Sequence, residues 1–172
     1  MNVQIRSENP SDYTGIKNVN DLAFSQTNEG ILVEKLRVNP DFVEQLSLVA
    51  VRGGEIVGHI LFPPIWIDDG IIKRRTLALA PMSVLPDYQK KGIGSQLVNK
   101  GLKICRRLGY KSVIVLGHPA YYSKFRFVEA SLFGINSPFD VPEEVFMGME
   151  LVPDGLKDIT GIVQYSKEFN EV

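Results

Sequence analysis

A strand, a tight turn and a glycine-bearing loop run without a break into the most strongly amphipathic helix that the chain encodes. The stretch is Met82-Ser83-Val84-Leu85-Pro86-Asp87-Tyr88-Gln89-Lys90-Lys91-Gly92-Ile93-Gly94. From Gly92 to Leu108 the pattern predicts a helix, with Ile93, Leu97, Gly101, Ile104, Cys105 and Leu108 on one face. Ser95, Gln96, Asn99, Lys100, Lys103, Arg106 and Arg107 fall on the other, with cations gathered toward the C-terminal end and Gly109 as a stop. The first N–H groups of such a helix have no partner within it and sit at the positive end of its dipole, so they form an anion site. Gly92 and Gly94 let a phosphate approach the backbone, and Lys90 and Lys91 add charge. The same residues also suit a plain strand-to-helix turn. A Walker loop is excluded, because no Gly-Lys-Ser/Thr follows. The dinucleotide fingerprint is excluded by the missing third glycine and the missing acidic residue about 20 positions on.

Around this centre the chain alternates short strands and helices. Val3 to Arg6 reads as a strand, and Ser11 or Asp12 as the cap of a helix carrying Ile16, Val19 and Ala23. Glu29 to Arg37 reads as a second helix, stopped by Pro40. Leu46–Arg52 and Glu55–Phe62 flank Gly53-Gly54, which predicts a β-hairpin. Ile65-Trp66-Ile67 suggests an edge strand. Lys73 to Val84 reads as one strand with a bulge or unpaired point at Pro81, since proline cannot donate to a ladder. Ser112 to Leu116, Phe146 to Leu151 and Gly161 to Tyr165 read as later strands, and Pro119 to Phe125 as a short helix.

The 172 residues suit one domain over 1–172, and no repeat or linker divides them. A formal net charge of −1 gives no electrostatic reason to expect nucleic acid or an anionic membrane. No apolar run approaches the roughly 20 residues of a membrane span, and the polar start, Met1 to Pro10, lacks a signal-peptide core, so the expectation is cytoplasmic. The single cysteine, Cys105, can form neither an internal disulfide nor a thiolate metal cluster, and no His/Cys/Asp/Glu set has metal-ligand spacing.

Gln89-Lys90-Lys91-Gly92-Ile93-Gly94 resembles the Gln/Arg-x-x-Gly-x-Gly/Ala signature of the GNAT acetyltransferases, and Met82-Ser83-Val84-Leu85-Pro86 resembles their pantetheine-binding strand. Gly117-His118-Pro119-Ala120-Tyr121-Tyr122-Ser123-Lys124-Phe125-Arg126-Phe127 is similar to the Tyr-x-x-x-Gly-Phe region that closes these domains, with Arg126 where glycine is usual. Together with Pro138 to Glu144 and Phe146-Met147, this run resembles the YhbS-like bacterial subgroup. The resemblance implies an α/β fold: a mixed, mostly antiparallel sheet flanked by helices, with splayed fourth and fifth strands. It implies acetyl-CoA as cosubstrate with no metal, and transfer of the acetyl group to an amine. Met82, Ser83, Val84, Gln89, Lys90, Lys91, Gly92, Ile93, Gly94 and Ser95 are the cofactor-binding residues it implies.

Acetylating an amine requires loss of an amine proton, polarisation of the thioester carbonyl and protonation of the departing thiolate. The resemblance assigns the last role to Tyr122, a phenol that is protonated at neutral pH. Read without it, Tyr122 is a core aromatic with a satisfied hydroxyl. It places the oxyanion donor on the backbone near Val84. Thr76 to Val84 carries no carboxylate, so the base is left among His118, Glu29, Glu34 and water. His118 is equally a turn residue before Pro119, and the two glutamates equally exposed helix residues. Cys105 reads as a small buried hydrophobe and His59 as a strand-face residue. The acceptor is a small-molecule or peptide amine, its pocket shaped by Ser131 to Glu144; a homodimer is left open. The alternative is a non-catalytic acyl-CoA-binding sensor.

Overall fold

The computed structural model describes residues 1–172. In chain order the elements are β1 (Gln4–Ser7), α1 (Tyr13–Phe24), α2 (Asn28–Arg37), β2 (Ser47–Arg52), β3 (Glu55–Leu61), β4 (Pro64–Asp68), β5 (Lys73–Ala78), β6 (Met82–Val84), α3 (Ile93–Arg107), β7 (Ser112–Leu116), α4 (Pro119–Tyr122), β8 (Val128–Glu129), β9 (Ile135–Asn136), β10 (Phe146–Glu150) and β11 (Gly161–Gln164). They fall into two compact units. The first holds 1–63, 80–104 and 167–172; the second holds 64–79 and 105–166.

In the first unit a four-stranded antiparallel sheet runs in the order β1-β2-β3-β6. The β2–β3 hairpin forms as predicted, because Gly53 and Gly54 both take the positive φ that a two-residue turn demands (57° and 80°). Ile16, Leu32, Val33 and Leu36 of α1 and α2 pack on Val49 and Leu61 of the sheet. The other face takes α3. A Cβ added at Gly58 of β3 would lie 3.0 Å from Leu97, and one at Gly101 of α3 would lie 2.3 Å from the Phe62 ring, so helix and sheet approach closely through these two glycines. The buried face of α3 holds Ile93, Leu97, Val98, Leu102, Ile104 and Cys105, whereas Leu108, expected on that face, is 38% exposed. The reason is local. Gly109 takes φ 91° and its N–H reaches the Arg106 carbonyl while Tyr110 N–H reaches Cys105, so the helix ends one residue before Leu108. At the start of α1 the cap position is Asp12, one of the two expected, but its carboxylate makes no capping bond to α1: it accepts from Asn9 N–H and from Arg6, while Asn9 Oδ1 accepts from Ser11 N–H and caps the short turn Pro10–Asp12 that precedes the helix.

Under α1 and α2 lies a directional polar chain. Asn20 Nδ2 donates to the Ile16 carbonyl and lies 3.3 Å from His59 Nδ1. His59 Nδ1 is therefore the acceptor, and Nε2–H donates to Ser47 Oγ at 3.0 Å. Ser47 donates to Glu8 at 2.6 Å, and Arg37 grips both oxygens of Glu8 at 2.8 and 3.2 Å. The Arg37 guanidinium also stacks 3.8 Å from the centre of the Tyr13 ring. His59 is fully buried, and burial, with Arg37 adding to it, pushes its pKa down to about 3. The ring is neutral, so its 4.0 Å approach to Glu8 is no ion pair. In the unfolded chain the same histidine titrates near pH 6.5. Below that pH the unfolded state binds the extra proton, so stability falls by up to about 1.4 kcal/mol per pH unit as pH drops toward the folded-state pKa of about 3. Melting temperatures measured between about pH 4 and about pH 7 should fall more steeply with acid in the native protein than in His59→Gln; parallel curves would mean that His59 does not titrate this way.

In the second unit seven strands run β8-β10-β7-β5-β4-β11-β9, antiparallel except at β5·β7 and β9·β11. The two outermost strands are joined by only Ala130 to Gly134. Six residue steps span at most about 21 Å, whereas seven flat strands would set the edges about 29 Å apart, so the sheet curls. Its core is Ile65 and Ile67 of β4, Ala78 of β5, Ile114 of β7, Phe146 of β10 and Val163 of β11. β4, expected at an edge, is interior between β5 and β11, because β11 supplies a partner that its spacing in sequence does not announce.

The stretch Lys73 to Val84, expected as one strand, is two. β5 pairs with β4 and, at Leu77 and Ala78, with β7. β6 pairs with β3. Between them lies Pro81, preceded by a cis peptide bond. Proline has no N–H for either ladder, which is why the partners change at this point.

Candidate active site

β6 is an edge strand. Leu85 N–H donates to the Val57 carbonyl and the Pro81 carbonyl accepts from Leu61, so the odd-numbered residues of this segment face β3. Met82 and Val84 therefore turn their N–H groups to the free edge. The Val84 carbonyl is taken by Gln89 Nε2 at 3.0 Å, so the glutamine ties the end of the strand to the loop that follows. In that loop Lys90 and Gly92 take positive φ, 61° and 85°. A Cβ at Gly92 would meet no protein atom, so backbone conformation and approach from outside, not internal crowding, call for glycine there. The first intrahelical bond runs from Gln96 N–H to the Gly92 carbonyl. The N–H groups of Gly92, Ile93, Gly94 and Ser95 precede it and have no helical partner. Lys90 and Lys91 are exposed, with Lys91 Nζ 5.7 Å from the Tyr88 ring centre. Ser83 is 3% exposed, and its Oγ has no hydrogen-bond partner.

Tyr122 lies in the second unit, in the short helix that follows β7. Gly117 makes room for it: a Cβ there would stand 2.4 Å from the ring. Tyr121 and Phe127 pack edge-on to the ring, at 5.0 and 5.7 Å between centres. The His118 carbonyl accepts from the N–H groups of Tyr121 and Tyr122. Burial, with Tyr121 adding to it, raises the Tyr122 pKa, so the phenol holds its proton more firmly than in water. The hydroxyl makes no hydrogen bond to any protein group, unlike the satisfied core tyrosine that composition alone would suggest. Arg126, standing where glycine is usual, takes φ 75° and ends the turn as a glycine would, at a strain of about 1 kcal/mol.

Of the candidate bases, His118 is exposed and its side chain makes no capping bond. Glu29 is held by Gln26 Nε2, at 2.7 and 3.1 Å. Glu34 is exposed on α2. Cys105 is buried and its thiol is pushed up to about 12, which makes it inert. No three His, Cys, Asp or Glu side chains converge to hold a metal. No helix is long and apolar enough to cross a membrane. The Asn20–His59–Ser47–Glu8–Arg37 chain was not foreseen; its members come from five separate segments, and a lone histidine in an apolar strand was the one local sign of it.

An edge strand leading into an anion-ready helix start is the arrangement the GNAT resemblance requires, and comparison with known proteins agrees. The acetyltransferase (GNAT) family profile matches residues 16–125, and the chain belongs to that family as an acyltransferase. It is 33% identical to the uncharacterized N-acetyltransferase YhbS of Escherichia coli, over 96% of this chain and 98% of that one. Among solved structures, the E. coli YhbS complex with CoA aligns with a TM-score of 0.90 at 32% identity, covering 98% of this chain and 92% of that chain. A Brucella melitensis GNAT acetyltransferase in complex with acetyl-CoA aligns at 0.80, also 32% identical, with 98% of both chains covered. The mixed α/β fold expected from the sequence is the fold of these proteins.

Proposed function

We propose that this protein transfers the acetyl group of acetyl-CoA directly to the amine of a small-molecule or peptide acceptor, without a metal. The observation that carries this reading is the continuous backbone surface formed by the free edge at Met82 and Val84 and the unpartnered N–H groups from Gly92 to Ser95. That the two relatives above hold CoA and acetyl-CoA supports it. Bound here, the coenzyme supplies an activated thioester. Met82 and Val84 pair with the pantetheine arm as an added strand would. Gly92, Ile93, Gly94 and Ser95 hold the pyrophosphate through their N–H groups, with Lys90 and Lys91 adding charge. Gln89 keeps strand and loop in register, and Ser83 completes the cofactor-binding set. A backbone N–H near Val84 stabilises the oxyanion as the amine nitrogen bonds to the thioester carbon. Tyr122 gives its proton to the departing thiolate as the C–S bond breaks. Its raised pKa keeps it protonated until then. The amine proton leaves through water, His118, Glu29 or Glu34.

Residues 1–172 act as one domain. Three segments of the first unit alternate with two of the second, so the chain crosses between them four times and neither unit is a contiguous piece. The cytoplasm, where thioesters of coenzyme A are at hand, is the proposed compartment.

Calorimetric titration with acetyl-CoA and with free coenzyme A tests the cofactor site, with binding in the micromolar range expected. Tyr122→Phe should lower kcat by about 100-fold with little change in acetyl-CoA affinity. Unchanged turnover removes Tyr122 from the chemistry. Binding without turnover on any amine would leave the sensor reading in its place.

A further inference from the structure

β5 and β7 run parallel, with Leu77 opposite Val113 and Ala78 opposite Ile114. One step back toward the start of both strands, the buried hydroxyls of Thr76 and Ser112 meet at 2.6 Å. One step further back come Arg75 and Lys111, both exposed. A groove of about 400 Å³ lies at this end of the pair, a size ordinary for small-molecule sites, which run from about 300 to 1,000 Å³. Arg74, Arg75 and Lys111 line it together with Leu108, Tyr110 and Ile159, and its surface is somewhat more apolar than polar. β7 is five residues long, about 17 Å, and Tyr122 follows its far end, so this groove is not the catalytic centre.

The lining is held in place by backbone bonds. Leu151 N–H donates to the Lys111 carbonyl at 2.8 Å, and Arg106 Nε donates to the Leu151 carbonyl at 2.9 Å. The Arg75 guanidinium stacks 3.9 Å from the centre of the Trp66 ring, its partner across the β4–β5 ladder.

No carboxylate lines the groove. The side chains of Arg74 and Lys111 are in no hydrogen bond or ion pair. Asp69, whose charge Arg74 feels, is turned to the backbone, where its Oδ1 accepts from Ile71 and Ile72 N–H at 2.8 and 2.7 Å. Asp154 and Asp158 are neighbours of Gly155 and Ile159 along the chain but lie outside the lining. The wider field has the same sign as the groove: from Lys73 to Val128 there are twelve lysines and arginines against one carboxylate, Asp87, in a chain whose net charge is −1. Two guanidinium forks and an ammonium match a phosphate, which as a monoester carries about −1.5 to −2 at neutral pH. The apolar part of the lining adds a demand that inorganic phosphate leaves unmet.

We propose that this groove is a second anion site, separate from the coenzyme loop, and that it takes an organic phosphate monoester with a compact apolar or aromatic body. Arg74, Arg75 and Lys111 hold the phosphate; Leu108, Tyr110 and Ile159 take the body.

The test is calorimetric titration of the full chain with phenyl phosphate, phenylacetate and inorganic phosphate, each with and without saturating coenzyme A. Phenyl phosphate should bind at one site about tenfold or more tighter than inorganic phosphate, because only the ester buries a ring. Phenylacetate, with a single charge, should bind more weakly than phenyl phosphate. Arg74→Glu and Lys111→Glu, both at exposed positions, should each weaken phenyl phosphate about tenfold or more. Leu108→Ser should narrow its advantage over inorganic phosphate. Equal affinity for the two phosphates overturns the inference, as does tighter binding of phenylacetate, or full affinity in the folded charge-reversed variants. Loss of phenyl phosphate binding when coenzyme A is added also overturns it, since the phosphate would then be sitting at the loop of Gly92. Failure of coenzyme A itself to bind removes the acetyltransferase reading and leaves the titrations without coenzyme A to decide the groove.

Discussion

Replacing Arg37 with alanine should cost the protein about 3–5 kcal/mol, a large part of the stability of a domain this size. The pair it breaks is buried: the side chains of Arg37 and Glu8 are 10% and 3% exposed. At an exposed pair the same change would cost about 1 kcal/mol or less. Here the alanine leaves a carboxylate in the interior with Ser47 Oγ as its one remaining donor, and the loss of that desolvated partner, not of the Coulomb attraction alone, sets the magnitude. The damage should spread along the chain, since Ser47 also accepts from His59, whose ring accepts from Asn20. Urea unfolding checks this. A loss below about 1 kcal/mol would mean that water reaches Glu8 and that the pair behaves as a surface one.

Gly92→Glu should abolish coenzyme A binding, a loss of about 100-fold or more. Two effects add. A carboxylate enters the field of the helix N-terminus where a phosphate is proposed to sit, and bulk enters where the backbone must be approached closely. Because a Cβ at Gly92 meets no protein atom, the variant should fold, with a modest penalty for a non-glycine residue at φ 85°. Circular dichroism separates the two outcomes, and normal affinity in a folded variant would move the phosphate site elsewhere.

What the sequence made legible was what depends on neighbours along the chain. Ser112–Leu116 reads as a strand because four of its five residues are apolar and three of those are β-branched, and it forms over those five residues. The helix after Gly92 and the Gly53-Gly54 hairpin follow from periodicity and φ requirements that no tertiary contact has to supply. The phosphate loop belongs to the same category, since glycines, a preceding strand and a following helix all lie within about one dozen residues. Less legible was whatever a distant partner decides. β8 and β9 are two residues each, too short to carry a period, and exist because β10 and β11 offer them ladders. The division of Lys73–Val84 was signalled by Pro81, but the exchange of β7 for β3 as partner was not. The idle hydroxyl of Tyr122 could not be seen either, because a missing hydrogen bond is a property of everything around it.

The short outer strands of the curled sheet also bear on how this protein behaves when concentrated. A sheet edge is a template: its unpaired N–H and C=O groups invite another chain to extend it, and long flat edges are where aggregation starts. Here the seven-stranded sheet ends on both sides in strands of two residues, Val128–Glu129 and Ile135–Asn136, and one of them carries a glutamate. A neighbouring molecule finds room there for a bond or two, not for a growing ladder. The curl thus protects against fibril-like stacking while spending no residues on a dedicated cover.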